Sequence, residues 1–338
     1  MEKYKIIHIT HSDLDAVGCD LVIRMYSESV GMTAEDDVLT YFCNVTEATK
    51  HAFDLMNAIK NGDIDVPEFI FITDISITEA CASNLEEFCQ ENNISLMHID
   101  HHPTDRLNEK FKWSTVLSDE PLVSATEIIF GIFKNDFKQF LPESNFEKFN
   151  SICMDISRYD TWRWKQEATD YHEEDFNICC RFYGFVDYVE HLMDIIHTNS
   201  EIFDNTDRLI VKNFKDKRDF EVSRFINDPS NIYFTEQDGM TFAYLMYSGD
   251  YINSILEAVY LQYPDIDIVA GFMSITRSIT YRSNKPNIDC GDYAKKKFGG
   301  GGHKSAAGAN FIDIDVYCNL LKDFYHAVEE QKKAKRKQ

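Results

Sequence analysis

Three short clusters of acidic and histidine residues each follow directly after an apolar run. In chain order they are His11-Ser-Asp13-Leu-Asp15 after IIHIT, Asp74 after FIFIT, and Asp100-His101-His102 after SLMHI. If each apolar run is a strand of an open parallel sheet, all three clusters meet at the edge where such sheets bind ligands. Carboxylate oxygens and imidazole nitrogens together suit Mn²⁺, Mg²⁺, Fe²⁺ or Zn²⁺. The pattern therefore predicts a metal site.

The number of carboxylates in these clusters favours two cations over one. Several carboxylates crowded together without cations repel one another and partly stay protonated. Paired divalent ions about 3.5–4 Å apart relieve that repulsion, generate a hydroxide and clamp a phosphoryl group during in-line displacement. We expect two divalent cations, with Mn²⁺ preferred and Mg²⁺ as the alternative, in a phosphoester hydrolase.

Each cluster taken alone has a simpler structural explanation. A single Asp after a strand, such as Asp74, is most often a turn residue or a helix N-cap. A single His-His pair is more often structural than a ligand. The convergence of three clusters at strand ends favours the metal site over these explanations. His8 and His98 fall inside predicted strands and are interpreted as packing residues.

A glycine-rich segment near the C-terminus is the second chemical signal. The run from Gly299 to Gly308 lets backbone N–H groups approach an anion closely. His303 and Lys304 within it could donate to a phosphate, and the upstream Arg282 could make a bidentate contact with the same group. The alternative is a flexible loop. We expect Gly300, Gly301, Gly302, His303 and Arg282 to bind substrate.

Apolar runs alternate with helical patterns through the first hundred residues. The runs at 6–10, 38–43, 69–73 and 95–99 predict strands, and the segments 17–29, 45–61 and 79–92 predict helices. This alternation is typical of a doubly wound, mostly parallel sheet, so we assign the α/β class. Residues 120–200 predict mainly helices.

The length of 338 residues predicts two domains. We assign residues 1–200 to a catalytic domain and the charged segment 201–235 to a connecting helix or linker. A smaller α/β domain follows at 236–330, with strands at 241–246, 268–272 and 274–281 and a final helix near 316–330. Residues 331–338 form a basic tail.

The charge balance limits the substrate. With 57 acidic and 34 basic residues, the formal charge of −23 disfavours long DNA or RNA, which basic surfaces bind. Short RNA or DNA oligonucleotides and small nucleotides remain suitable, because bound cations neutralise the site locally. Aromatic residues are abundant, and Trp162 and Trp164 are candidates for stacking on bases, although core packing is the favoured interpretation for each.

The cysteines and the apolar runs bear on location. The nine cysteines are scattered and include no C-x-x-C pair, which indicates neither a disulfide framework nor a zinc site. A reducing cytoplasm is the expected compartment. Neither a secretory signal nor a membrane span is expected. The sequence leaves the oligomeric state open, a homodimer included.

At these residues the sequence resembles the DHH phosphoesterase family over nearly its whole length. The matching motifs are D-x-D-x-x-G at Asp13–Gly18, the Asp at Asp74, the name motif at Asp100–His102, and the GGGH-x-x-AAG of the DHHA1 substrate-binding domain at Gly300–Gly308. Within the family, HSDLDAVGC, FITDISI, IDHHPT and YDTW look most like the bacterial nano-RNases.

The resemblance implies a role for each motif residue. One metal would take His11, Asp13 and Asp74, and the other Asp15, Asp74, His101 and a later Asp, with Asp74 bridging. That later residue is expected to be Asp160, with Asp155 as its rival. Asp100 would orient a neighbouring ligand, His102 would face the scissile phosphate, and Arg282 and His303 would hold a substrate phosphate.

The spacing around His11 departs from many members of the family. In those members the first histidine stands four residues before the first Asp, a position that Ile9 occupies here. Archaeal and nano-RNase-like members show the shorter spacing of His11, so His11 is retained as a ligand.

The activity implied is hydrolysis of short oligonucleotides to 5′-mononucleotides. Hydrolysis of cyclic nucleotides, cyclic dinucleotides or 3′-phosphoadenosine phosphate is the enzymatic alternative. A catalytically silent nucleotide-binding regulator is the alternative from another class.

Overall fold

The computed structural model describes residues 3–103, 105–118, 122–165, 173–302 and 304–311, with short stretches between 318 and 333. The chain divides into two compact units, Met1–Lys212 and Asn213–Gln338. Each unit is built around its own sheet. Among the described residues, no helix combines the length and the apolar character that crossing a bilayer requires.

The first unit is a parallel sheet with helices on both faces. Its elements are β1 (Ile6–Thr10), α1 (Leu14–Ser29), α2 (Ala34–Asp37), β2 (Val38–Phe42), α3 (Val45–Asn61), β3 (Phe69–Thr73), α4 (Glu79–Asn92), β4 (Ser95–Asp100), β5 (Ser114–Val116), α5 (Ala125–Phe140), α6 (Glu143–Asp160), α7 (Glu173–Tyr183) and α8 (Phe185–Thr198). The strand order is β2-β1-β3-β4-β5. All four neighbouring pairs are parallel, which confirms the predicted fold class.

The burial of the strands explains the sheet. The five residues of β1 are all buried, as expected for a strand covered on both faces. Ile7 and Ile9 pack in one core cluster with α3 and α4. On the other side of the sheet, α1 contacts α5, α6 and α8. The short strand β5 was not predicted, since three residues carry too little periodicity.

Two local features set the position of α1. The helix begins at Leu14, earlier than predicted, because Asp13 caps it and accepts a hydrogen bond from Ala16 N at 3.1 Å. Gly18 lies where α1 meets α5, and a Cβ there would stand 2.2 Å from Thr126 Oγ1. The glycine of the D-x-D-x-x-G motif therefore permits close packing of these two helices.

A long helix, α9 (Asn205–Ile226), begins in the first unit and ends in the second. It occupies most of the segment for which the sequence predicts a connecting helix. Strand β6 (Ile232–Gln237) also starts inside that segment, where the residues show little strand pattern. Ile232 is buried in the core of the second unit and Phe234 packs against it, so tertiary burial, rather than a clear local pattern, defines this strand.

The second unit contains a six-stranded mixed sheet. Its further elements are β7 (Met240–Met246), α10 (Ile252–Gln262), β8 (Ile268–Met273), β9 (Ser278–Arg282), α11 (Cys290–Phe298), β10 (Gly301–Gly302) and β11 (Ala306–Asn310). The order is β10-β11-β9-β8-β7-β6, with only β7 and β8 parallel among the described pairs. β9 starts later than predicted, because residues 274–277 form a turn that ends in Arg277 at φ +51°. The predicted final helix lies partly outside the described residues, and the residues described between 318 and 329 are helical.

Candidate active site

The carboxyl ends of three adjacent strands bring the acidic clusters together. β1 is followed by His11, Asp13 and Asp15, β3 by Asp74, and β4 ends in the Asp100-His101-His102 segment. Because β3 pairs with both β1 and β4 in a parallel sheet, these segments leave the same edge. The convergence that the sequence predicts is therefore present in the first unit.

Asp74 lies at the centre of this group and is 2% exposed. Its Oδ1 is 3.5 Å from His101 Nε2, and its Oδ2 is 3.9 Å from His11 Nδ1. The backbone at Asp74 has φ +56°, an uncommon conformation for a residue with a Cβ, and its N–H donates to Ile99 O. Such strain at a polar residue is typical of a functional position.

Asp74 belongs to one set of potential metal ligands and lies beside a second. His11, Asp13 and Asp74 form one group whose ligand atoms lie within 4.8 Å of one another, and Asp15, His101 and Asp160 form another. Asp74 Oδ2 and His101 Nε2 are both buried, with no hydrogen-bond partner among the described residues. Unsatisfied buried polar atoms cost free energy. Divalent cations would satisfy both atoms, so the residues present fit a metal pair.

The two donor sets together are called the cluster, and the electrostatics of the cluster also favour bound cations. Burial, followed by the charges of Asp13 and Asp15, raises the pKa of Asp74 well above its usual range. Burial and the same two carboxylates also raise the pKa of Asp160. Without cations the cluster therefore retains protons that bound metal would displace.

Asp15 is held by the N-terminus of another helix. Its two carboxylate oxygens accept hydrogen bonds from the backbone N–H groups of Ala125, at 2.9 Å, and Thr126, at 3.1 Å. These are the first residues of α5, where backbone N–H groups lack partners within the helix and favour an anion. This contact fixes the Asp15 side chain in a buried position.

Asp160, rather than Asp155, joins the cluster. Asp160 ends α6, and its Oδ2 is 3.3 Å from His101 Nε2. Asp155 precedes it by five residues, which turns its side chain by about 140° around the helix. Asp155 is buried and pairs with Arg158 instead.

A hydrogen-bond network joins the start of α5 to the end of α6. Ser157 Oγ donates to Glu127 Oε2 at 2.5 Å, and Arg163 Nη2 donates to the same oxygen at 2.6 Å. The backbone of the first turn of α5 therefore binds Asp15. The Glu127 side chain of the same turn contacts the end of α6, which carries Asp160. Sequence reasoning missed this network. The S-x-x-E spacing of Ser124 and Glu127 indicates only a helix start.

We expect Arg163→Met to weaken Mn²⁺ binding about tenfold, the usual effect of losing a residue that supports metal ligands. The substitution removes the ion pair that fixes the end of α6 and so loosens Asp160. Titration calorimetry with Mn²⁺ measures the effect. Arg208→Met is the matched control, because it removes an exposed ion pair with Glu201. Equal Mn²⁺ affinities in both variants would remove Arg163 from this role.

Asp100 orients the two histidines that follow it. Its Oδ1 accepts from the backbone N–H groups of His101 and His102, at 2.7 and 3.1 Å, and lies 2.8 Å from His102 Nδ1. Burial opposes the charge of His102, but the hydrogen bond with Asp100 and its negative charge raise the pKa of His102 to about 9. His102 is therefore a cation at neutral pH in the metal-free protein, with Nε2 left for a ligand.

His8 and His98 occupy the interior. His8 bonds to Asp20 Oδ1 at 2.9 Å and Thr73 Oγ1 at 2.8 Å, one through each ring nitrogen. His98 contacts Ser114 Oγ at 2.8 Å and Ile75 O at 3.2 Å. Both side chains are fully buried and have protein partners, in keeping with a structural role.

The remaining predicted residues belong to the second unit. Arg282 ends β9, and its Nη2 donates to Asn253 Oδ1 at 2.9 Å. Gly300 precedes β10, which consists of Gly301 and Gly302. Gly302 has φ +137°, which favours glycine. His303 lies outside the described residues.

Comparison with known proteins adds to this geometry. Residues 5–156 match the family described as DHH family, N-terminal domain. The match assigns residues 5–156, just under half of the chain, to that domain family. The match spans β1 to β5, α5 and most of α6, which carry every residue of the cluster except Asp160.

Relatives extend the similarity along the chain. It is 22% identical to "Oligoribonuclease NrnB" of Bacillus subtilis strain 168, over 91% of this chain and 73% of that protein. It is 21% identical to the "3′,5′-cyclic-nucleotide phosphodiesterase" of Helicobacter pylori strain ATCC 700392 / 26695, over 96% and 98%. The structure of the pGpG-specific phosphodiesterase PggH of Vibrio cholerae superimposes with a TM-score of 0.51 at 14% identity, covering 96% of this chain and 99% of that one. The last similarity shows that the two proteins share a fold.

Proposed function

We propose that this protein is a two-metal phosphodiesterase that hydrolyses short oligonucleotides to 5′-mononucleotides. The observation that carries the proposal is buried Asp74, which belongs to one donor set, lies 3.5 Å from His101 of the other, and has an oxygen without a hydrogen-bond partner among the described residues. Phosphoester chemistry on nucleotides is further supported by the match of residues 5–156 to the DHH family and by the names of the two relatives.

The donor sets suit Mn²⁺, with Mg²⁺ as the alternative. His11 and His101 give each set an imidazole beside its carboxylates. Mg²⁺ prefers oxygen ligands alone, whereas Mn²⁺ also accepts nitrogen. When bound, the cations would supply Lewis-acid stabilisation of phosphoryl oxygens and a water of lowered pKa.

The protein's own contribution centres on His102. Asp100 holds the Nδ1 side of the ring and favours its protonated form. The His102 side chain is 40% exposed, so Nε2–H can donate to a non-bridging oxygen of a phosphodiester. Such a donor stabilises the charge that develops as the bond to the leaving oxygen breaks.

The charge of the chain favours short substrates. A net charge of −23 repels long polyanions, while a substrate of a few nucleotides needs only local neutralisation. Arg282 and the glycine segment of the second unit provide donors for a further phosphate, and His303 is proposed to join them.

A cyclic nucleotide or cyclic dinucleotide is the second candidate substrate. The name of the Helicobacter pylori relative favours it. The same residues would serve, since the scissile group is again a phosphodiester.

A product profile tests the proposal. Purified protein with Mn²⁺ is incubated with a labelled five-nucleotide RNA, 3′,5′-cyclic AMP and a cyclic dinucleotide, and Asp74→Ala controls for contaminating nuclease. We expect 5′-mononucleotides from the RNA at the highest kcat/KM. Faster hydrolysis of a cyclic substrate would reassign the substrate. Binding without turnover of any of them would indicate a regulator.

We expect Arg282→Ala to raise KM for the five-nucleotide RNA by roughly 10- to 100-fold with kcat little changed, because a charge-assisted hydrogen bond to phosphate is lost. Steady-state kinetics measure the effect. The control is Arg277→Gln, which removes a guanidinium from the exposed turn between β8 and β9. Unchanged kinetics in Arg282→Ala would exclude this arginine from substrate binding.

A further inference from the structure

A group of aromatic side chains lies on both sides of Asp160 in the chain. Tyr159 and Trp164 stack with ring centroids 5.7 Å apart and an interplanar angle of 23°. Trp162 and Trp164 are also stacked, at 6.5 Å and 27°. We call these three residues the aromatic platform. All three lie in the first unit, at the end of α6.

Trp162 is not explained by core packing, the interpretation that its sequence favours. Its side chain is 41% exposed. Its backbone has φ +60°, directly after the residue that caps α6, where a glycine is usual. A residue with a Cβ is strained in this conformation by about 1 kcal/mol or more. A large exposed ring held at a strained position points to a role in binding.

The neighbouring Trp164 carries a second indication. Its Nε1 is buried, with no hydrogen-bond partner among the described residues. An indole N–H is only a donor, and when buried it usually finds an acceptor. Lys165 Nζ lies 4.4 Å from the centre of the same ring. The platform thus combines an exposed ring with a donor that has no partner among the described residues, and Lys165 adds a positive charge beside it.

The platform is close to the proposed site of cleavage. Asp160, whose Oδ2 is 3.3 Å from His101 Nε2, stands between Tyr159 and Trp162 in the chain. Two residues of chain span at most about 7 Å. The backbone of Trp162 is further tied to α6, because its N–H donates to Tyr159 O. The backbone of Trp162 is therefore held close to that of Asp160.

We propose that Trp162 stacks on the nucleobase of a nucleotide whose phosphodiester lies at the cluster, and that Trp164 Nε1 donates to an oxygen or ring nitrogen of that nucleotide. The proposal rests on the function proposed above and assigns its first unit a base-binding surface. Stacking accepts every base, because every base has a π-face. The platform thus selects nucleotides over other phosphodiesters without selecting a base sequence.

Kinetics with substrates that lack a base test the stacking. We expect Trp162→Ala to raise KM for a dinucleotide about tenfold, and Trp162→Phe to restore most of the loss. Two further dinucleotides each lack one base, one at the first position and the other at the second. If Trp162 stacks on a single base, Trp162→Ala should have no effect on the KM for the dinucleotide that lacks that base. Equal effects on the intact dinucleotide and on both abasic ones would overturn the proposal. Phe140→Ala, which also removes a ring that is 41% exposed, is the matched control.

A binding measurement separates this inference from the proposed activity. Trp113→Phe removes the only tryptophan outside the platform, since the chain has three. With Mg²⁺ present, we expect 5′-AMP to quench the remaining fluorescence and ribose 5-phosphate to leave it unchanged. Identical responses to the two ligands would overturn the stacking role. Quenching by 5′-AMP in a protein without turnover would preserve the platform and contradict only the phosphodiesterase proposal.

Discussion

We expect Asp74→Ala to lower kcat by more than about 10³-fold and to abolish high-affinity binding of both cations. Asp74 belongs to the set with His11 and Asp13, and its Oδ1 is 3.5 Å from His101 Nε2 of the other set, so it is the proposed ligand of both cations. The fold should persist, because this side chain contributes charge to a crowded cluster rather than apolar contact. Its raised pKa shows that the metal-free fold disfavours a charge at this position.

Thermal unfolding distinguishes loss of metal binding from loss of fold. Mn²⁺ should raise the Tm of the wild-type protein, because it binds the native state selectively. The Tm of Asp74→Ala should equal or exceed that of the metal-free wild type and should not respond to Mn²⁺. Asp54→Ala, an exposed carboxylate on α3, should behave as wild type. Near-normal turnover in Asp74→Ala would contradict the assignment of this residue.

The second large effect concerns His102. We expect His102→Ala to lower kcat by about 10²- to 10³-fold, the usual cost of losing one hydrogen-bond donor to the charge that develops in the transition state. Mn²⁺ affinity should change little, because His102 is not one of the proposed ligands. Its Nδ1 is held by Asp100 and its side chain is partly exposed to solvent. Calorimetry alongside kinetics checks both parts. A parallel loss of Mn²⁺ binding would make His102 a ligand instead.

The pKa of His102 offers an independent check on Asp100. The hydrogen bond and charge of Asp100 raise that pKa to about 9 against the opposing effect of burial. In Asp100→Asn the charge is lost, so the pKa should fall towards 6.5 and the ring should lose its proton at lower pH. An NMR titration of the metal-free proteins measures the shift. An unchanged pKa would show that other carboxylates, such as Asp160, set the charge of His102.

Much of the candidate site was predictable because it follows from local patterns. Strands β1, β3 and β4 are short apolar runs, and each polar cluster begins where its run ends. Parallel topology then brings the clusters to one edge, whatever the details of packing. The choice between Asp155 and Asp160 depended on where α6 ends and on which side of the helix each side chain lies. Residue spacing alone did not supply this information.

Other features depend on contacts between distant segments. The backbone of α5 binds Asp15 across more than a hundred residues, and Glu127 meets Arg163 through the end of α6. No local periodicity encodes such pairs. Trp162 was equally hard to predict. A large aromatic residue is expected to pack in the core, and its exposure and positive φ became visible only in the structure.

Anomalous diffraction from crystals soaked in Mn²⁺ tests the central claim most directly. We predict two peaks that share Asp74 as a ligand, one also contacting His11 and Asp13 and the other Asp15, His101 and Asp160. Peaks elsewhere in the protein, or none among these side chains, would contradict the account.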